Sequence, residues 1–258
     1  MRLMKRILSA AAVLALSASL LVGCSSGTAS SVPVSASSAA ESTVSSVEET
    51  ASSAVDENEA AAAQLLNDLT GSYQELWPVI LADEYKQTWL DDCTALVGED
   101  NAEAAFEKLS SMVTGDVYGE DAVKAYANGG GAYFCGFTNS LAILTFDGET
   151  STISGTDKDG NVLFSHTYHY IGMEPVRGLY EFQSDDADSG EFTYFFLAPD
   201  TSAETYHIEF RYGSDAEALS QYDTGEYAYW LASGISTDWD QTMIDNCIEL
   251  FCTENLAG

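Results

Sequence analysis

Basic residues are scarce in this chain. Only 9 Lys and Arg stand against 41 Asp and Glu in 258 residues, a formal net charge of −32. So acidic a surface repels phosphate backbones and anionic lipid headgroups, and it argues against nucleic acid as a partner. Histidine is scarcer still: His166, His169 and His207 are the whole supply, and the chain lacks a His-rich loop or terminus. Cysteine is present but never as Cys-x-x-Cys, which speaks against a structural zinc centre of four thiolates. The metalloprotease helix pattern His-Glu-x-x-His and the phosphate-binding loop are both missing. These absences point away from an enzyme and towards a tethered binding domain.

The first 23 residues read as a leader. Arg2, Lys5 and Arg6 precede an apolar run from Ile7 to Val22, and Leu21-Val22-Gly23-Cys24 fits a bacterial lipobox, at which a peptidase cuts before a cysteine that carries lipid. The run is broken by serines and is shorter than the roughly 20 apolar residues that a membrane span needs. Cys24 is therefore the expected lipid attachment, with the mature chain extracytoplasmic and anchored to the cell membrane. Residues 24–58 are rich in Ser and Ala and hold no aromatic side chain, a composition too poor in apolar surface to offset the entropy of ordering. They read as a disordered tether, and residues 59–258 as one domain with a sizeable core.

Within that domain the hydrophobic period changes once. From Glu59 to about Gly129 it is helical: Leu65, Leu66 and Leu69 recur at helical spacing, Asn101 is placed to cap a helix through Leu109, Gly119 precedes a short helix, and Pro78 interrupts one near Trp77. From Tyr133 the period is two. Leu141–Phe146, Thr150–Ser154, Val162–Tyr170 and Leu179–Phe182 read as strands, separated by turns at Asp147-Gly148, Lys158–Asn161 and Asp188–Gly190. Two further arms, Tyr194–Pro199 and Tyr206–Gly213, make a hairpin. Sequential strands with short turns favour an antiparallel meander that closes, or nearly closes, into a barrel and so removes its exposed edges. Asp215 then caps a short helix, and Asp238 opens a final one through Ile244, Ile248 and Phe251. The expected class is α+β, an antiparallel β-barrel flanked by N-terminal and C-terminal helices.

The second hairpin arm carries the candidate chemistry. Tyr206, Ile208, Phe210 and Tyr212 alternate with His207, Glu209 and Arg211, so His207 and Glu209 point the same way, about 7 Å apart at the backbone. A histidine nitrogen and a carboxylate at that spacing can converge on one cation, although a metal site takes three or four ligands and the strand supplies two. The plain alternative is the solvated polar face of an amphipathic strand. His166 and His169, an odd number of residues apart, fall on opposite faces of their strand, so at most one of them can join the pair.

This stretch resembles the ZinT-like (YodA) zinc-binding family, found free in bacterial envelopes and as the C-terminal part of zinc-importer lipoproteins. The family pattern is a histidine, an Ala-Pro a few residues on, and a His-aromatic-His strand closing on glycine; here Ala198-Pro199 and Gly213 match. Leu69–Pro78, Val176–Phe182 and the acidic turn Asp185–Asp188 are similar to family segments in the same order. The resemblance implies a calycin-like (lipocalin-like) barrel with a metal, zinc, held at its mouth, and a metal importer as partner. Aligned so, His207 keeps a ligand, Glu209 exchanges one for a carboxylate, and Phe195 occupies the place of the first histidine. Two readings follow: an anchored zinc-binding protein that supports metal uptake or trafficking, or an envelope module that has lost the metal and binds an apolar or peptide ligand or a protein partner.

Four thiols remain once Cys24 is set aside: Cys93, Cys135, Cys247 and Cys252. They can form disulfides outside the cytoplasm or stay as buried thiols. Cys247 and Cys252, five apart on a helix, lie on different faces and do not suit each other.

Overall fold

A computed structural model describes residues 57–198 and 207–257. The leader, Cys24, the tether up to residue 56 and Pro199 lie outside the described residues.

Among the described residues eight strands run β1 (Gly71–Glu75), β2 (Ile143–Asp147), β3 (Thr152–Thr156), β4 (Val162–Met173), β5 (Tyr180–Ser184), β6 (Tyr194–Leu197), β7 (His207–Gly213) and β8 (Ala232–Ser236). Each pairs antiparallel with the next, and β1 pairs with β8 to close the barrel. The expected α+β barrel is thus present, as is closure. The helices are α1 (57–68), α2 (Trp77–Ile80), α3 (Lys86–Val97), α4 (Glu99–Val113), α5 (Glu120–Ala127), α6 (Ala216–Leu219) and α7 (Gln241–Leu256). Among the described residues no helix is long and apolar enough to cross a membrane.

Several boundaries differ from expectation. The stretch 71–75, read as helical, is the strand β1, because its backbone pairs with β2 on one side and β8 on the other. Pro78 does not break a helix: it occupies the first turn of α2, where its missing N–H costs nothing. Asn101 lies inside α4 and donates its side-chain amide to the Val97 carbonyl, while Gly98 holds the cap position at φ +84°. The last helix is capped two residues later than expected, by the Asp240 carboxylate, which accepts from Met243 N–H at 3.0 Å. Asp215 does cap α6, accepting from Ala218 N–H.

Two apolar clusters hold the structure. The larger fills the barrel with Phe146, Phe164, Phe182, Phe195, Phe210 and Tyr212, and α1 adds Leu65, Leu66 and Leu69 to it. A second lies between the barrel and the helical layer: Leu76, Trp77 and Ile80 of the β1–α2 region, Trp89 and Cys93 of α3, and Ile244, Ile248 and Cys252 of α7. Helix α7 serves two neighbours at once. Its stripe 244, 248, 252 is wholly buried in that second cluster, and its stripe 247, 250, 251, 254 turns to a cleft beside β7.

Candidate metal site on the outer face of the barrel

Strand β7 sorts its side chains as the period-two reading requires. Ile208, Phe210 and Tyr212 are buried in the barrel cluster, and His207, Glu209 and Arg211 take the other face. That outer face is not a solvated one. Arg211 is completely buried; its guanidinium donates to the carbonyls of Leu219, Gln221 and Tyr227 and lies 4.4 Å from the centre of the Tyr222 ring. It pins the segment after α6 against the barrel. Burial pulls its pKa down, and the neighbouring Tyr222 works the other way.

His207 and Glu209 are half-buried and line one small cleft of about 70 Å³. Leu76, Trp77 and Ile80 wall it on one side, and Cys247 and Glu254 of α7 on the other. The structure therefore brings the two predicted donors together and adds a thiol and a carboxylate that the sequence did not associate with them. Burial pushes the Cys247 thiol up to about 12, so it stays protonated at neutral pH and is a poor ligand until a cation displaces its proton. Cys135 is likewise raised to about 12 by burial and then by the Glu209 charge. Among the described residues no group of three or more His, Cys, Asp or Glu is placed to hold a metal ion. The donor types suit zinc; the donor count does not complete a three-ligand site.

Phe195 is no part of this cleft. It pairs across β6–β7 with Tyr212, and its ring lies 5.3 Å from Tyr212, 6.4 Å from Phe210 and 5.4 Å from Tyr168, inside the barrel. Placing it at a ligand position of the His207/Glu209 site is therefore corrected: the outward positions of strand β6 are Tyr194, opposite Gly213, and Phe196, opposite Arg211, and just past the strand the Ala198 N–H reaches the Glu209 carbonyl at 2.9 Å. The remaining histidines do not reach the cleft either. His166 Nδ1 lies 2.7 Å from Asp186 and His169 Nδ1 2.6 Å from Asp185, on the two sides of the acidic turn.

No protein-family model and no curated protein matches the chain. Solved structures do. The Zn(II)-bound ZinT-like domain of Streptococcus pneumoniae AdcA is similar at a TM-score of 0.45 and 15% identity, over 71% of this chain and 89% of that one. Zn(II)-bound AdcA from the same organism is similar at a TM-score of 0.43 and 14% identity, over 71% of this chain and 35% of that one.

Proposed function

We propose that this chain is a ZinT-like, lipid-anchored protein of the cell envelope that binds a divalent transition metal, zinc first, and supports its uptake or trafficking. The observation that carries this reading is the shared cleft: His207 and Glu209 face one space of about 70 Å³ walled by α7. Neutral imidazole and ionised carboxylate are competent zinc donors, with water in the open positions. A carboxylate in place of a second imidazole is a harder ligand, which shifts preference towards metals such as manganese. Two protein donors hold a cation less firmly than three, so binding is weaker than in relatives with three histidines. The activity is binding rather than catalysis, the anchor is lipid on Cys24, and a metal importer is the partner that such a role requires.

A second observation favours the metal-free alternative. A cleft of about 320 Å³ at the other side of Trp77 is walled by Pro78, Leu81, Val113 and Phe134, with Glu75 at its edge. Its size and apolar lining suit a small apolar ligand. Calorimetric titration of zinc into chelator-free protein separates the two readings. Binding that falls on the order of tenfold or more in His207→Ala supports the metal reading. Tight binding untouched by His207→Ala shows a different site, and no binding by the wild type leaves the apolar-ligand module.

A further inference from the structure

The fold sets two of the domain's four thiols apart and brings the other two together. Cys135 Sγ lies 3.9 Å from the Tyr133 carbonyl oxygen, and Cys247 faces the cleft. Cys93 and Cys252, 159 positions apart, meet with sulfurs 3.9 Å apart, each completely buried. The meeting follows from two helix stripes, Trp89 and Cys93 on α3 against Ile244, Ile248 and Cys252 on α7. The geometry points to a disulfide between Cys93 and Cys252 that fastens α7, one wall of the His207/Glu209 cleft, to α3. The sulfurs have about 2 Å to close to reach bonding distance, on helices that already pack against each other.

The chemistry needs an oxidant, which we identify by class as an exchangeable disulfide, either of a thiol oxidoreductase or of a small molecule. One cysteine thiolate attacks it, forming a mixed disulfide and releasing one oxidant thiol. The other cysteine thiolate attacks the first cysteine's sulfur, the Cys93–Cys252 bond forms, and the second oxidant thiol leaves. Two electrons pass to the oxidant, and its two sulfurs take up the two thiol protons. Burial raises both thiol pKa values in the folded protein and makes the thiols poor nucleophiles there. Exchange therefore takes place before α7 docks. In the cell the bond rests on the export that the leader implies, because disulfides persist outside the cytoplasm.

The test is refolding of the reduced full chain in a mixture of oxidised and reduced glutathione with chelator present, then alkylation and digestion without reduction. The expected product is one cross-linked peptide pair holding Cys93 and Cys252, with Cys24, Cys135 and Cys247 alkylated. Cys135→Ser keeps the cross-link, and Cys93→Ala abolishes it. Reduction is expected to lower the Tm of the wild type by about 5–15 °C and to leave Cys93→Ala unmoved. Alkylation of both Cys93 and Cys252 in the oxidatively refolded wild type, or a cross-link joining either to Cys247, overturns the proposal. Because no metal is present, neither outcome bears on zinc binding.

Discussion

The two faces of β7 carry opposite chemistry from one seven-residue strand. Inward, Ile208 joins the barrel cluster, Phe210 and Tyr212 meet the ring of Phe195, and Tyr212 also meets Trp230, so that aromatic side chains occupy the barrel's interior. Outward, Arg211 ties down a loop segment, and His207 and Glu209 open on a cleft whose far wall is a helix outside the barrel. The inner face is bound to its partners by packing and can change little; the outer face depends on where α7 docks. In this barrel the candidate donors lie on the outside, between sheet and helix, and the inside is filled by the apolar cluster.

The largest effect should come from the inner face. Phe210→Ala removes a completely buried ring and is expected to cost about 3–5 kcal/mol in denaturant unfolding. Phe195→His tests the contrast more closely. If Phe195 lay at a ligand position, a histidine there would strengthen zinc binding. The structure predicts the reverse: no gain in zinc affinity and a loss of about 2–4 kcal/mol, because an imidazole replaces a ring stacked on other rings. Burial depresses a histidine's pKa below its unfolded value, so the unfolded state binds the extra proton. The loss should then deepen as pH falls through about 6.5. Tighter zinc binding by Phe195→His would break the comparison between the faces.

Much of the barrel was legible because β2 to β7 alternate or end in turn residues. The strands that close it were not. Gly71-Ser72-Tyr73-Gln74-Glu75 and Ala232-Ser233-Gly234-Ile235-Ser236 hold one large apolar side chain each, so neither shows a period, and their extended state comes from pairing with each other and with β2 and β7. Small residues in β8 have a packing reason: a Cβ at Gly234 would stand 3.1 Å from Ile208 and 3.3 Å from Phe137. At the candidate site, the His207/Glu209 pair followed from alternation alone. Cys247, Glu254 and the Cys93–Cys252 contact depend on tertiary docking of α7, which no local pattern encodes. Phe195 was misplaced because a slip of one residue along a strand reverses the face.

Alkaline pH should weaken the molecule through both regions. Burial pushes Tyr73, in the barrel cluster, up to about 12. It does the same to Tyr222, on the outer segment between Arg177 and Arg211, with Glu174 adding to the rise. A folded pKa above the unfolded value of about 10 means that the unfolded chain loses protons first. The stabilisation is complete below pH 10 and is lost as pH rises from there towards 12. Tm measured against pH should fall across that window, and Tyr73→Phe or Tyr222→Phe should each flatten the fall. A Tm that stays level from pH 10 to 12 would show that these phenols ionise without unfolding.

The smallest effect sharpens the comparison most, because it loosens the cleft's wall and leaves the barrel alone. The Asp240 carboxylate satisfies the Met243 N–H at the start of α7, and loss of such a cap costs about 1 kcal/mol. Helix α7 contributes no strand to the closed barrel, so its local opening does not require the β1–β8 ladder to part. In Asp240→Ala, hydrogen exchange should therefore quicken along residues 241–256, roughly fivefold for about 1 kcal/mol, and stay unchanged in β1 and β8. Zinc affinity, if it resides in the cleft, should weaken by a similar or smaller factor, while the inner-face ring contacts keep their protection. Equal acceleration in helix and ladder would mean that α7 and the barrel open as one unit, and the division between a rigid interior and an adjustable outer wall would fail.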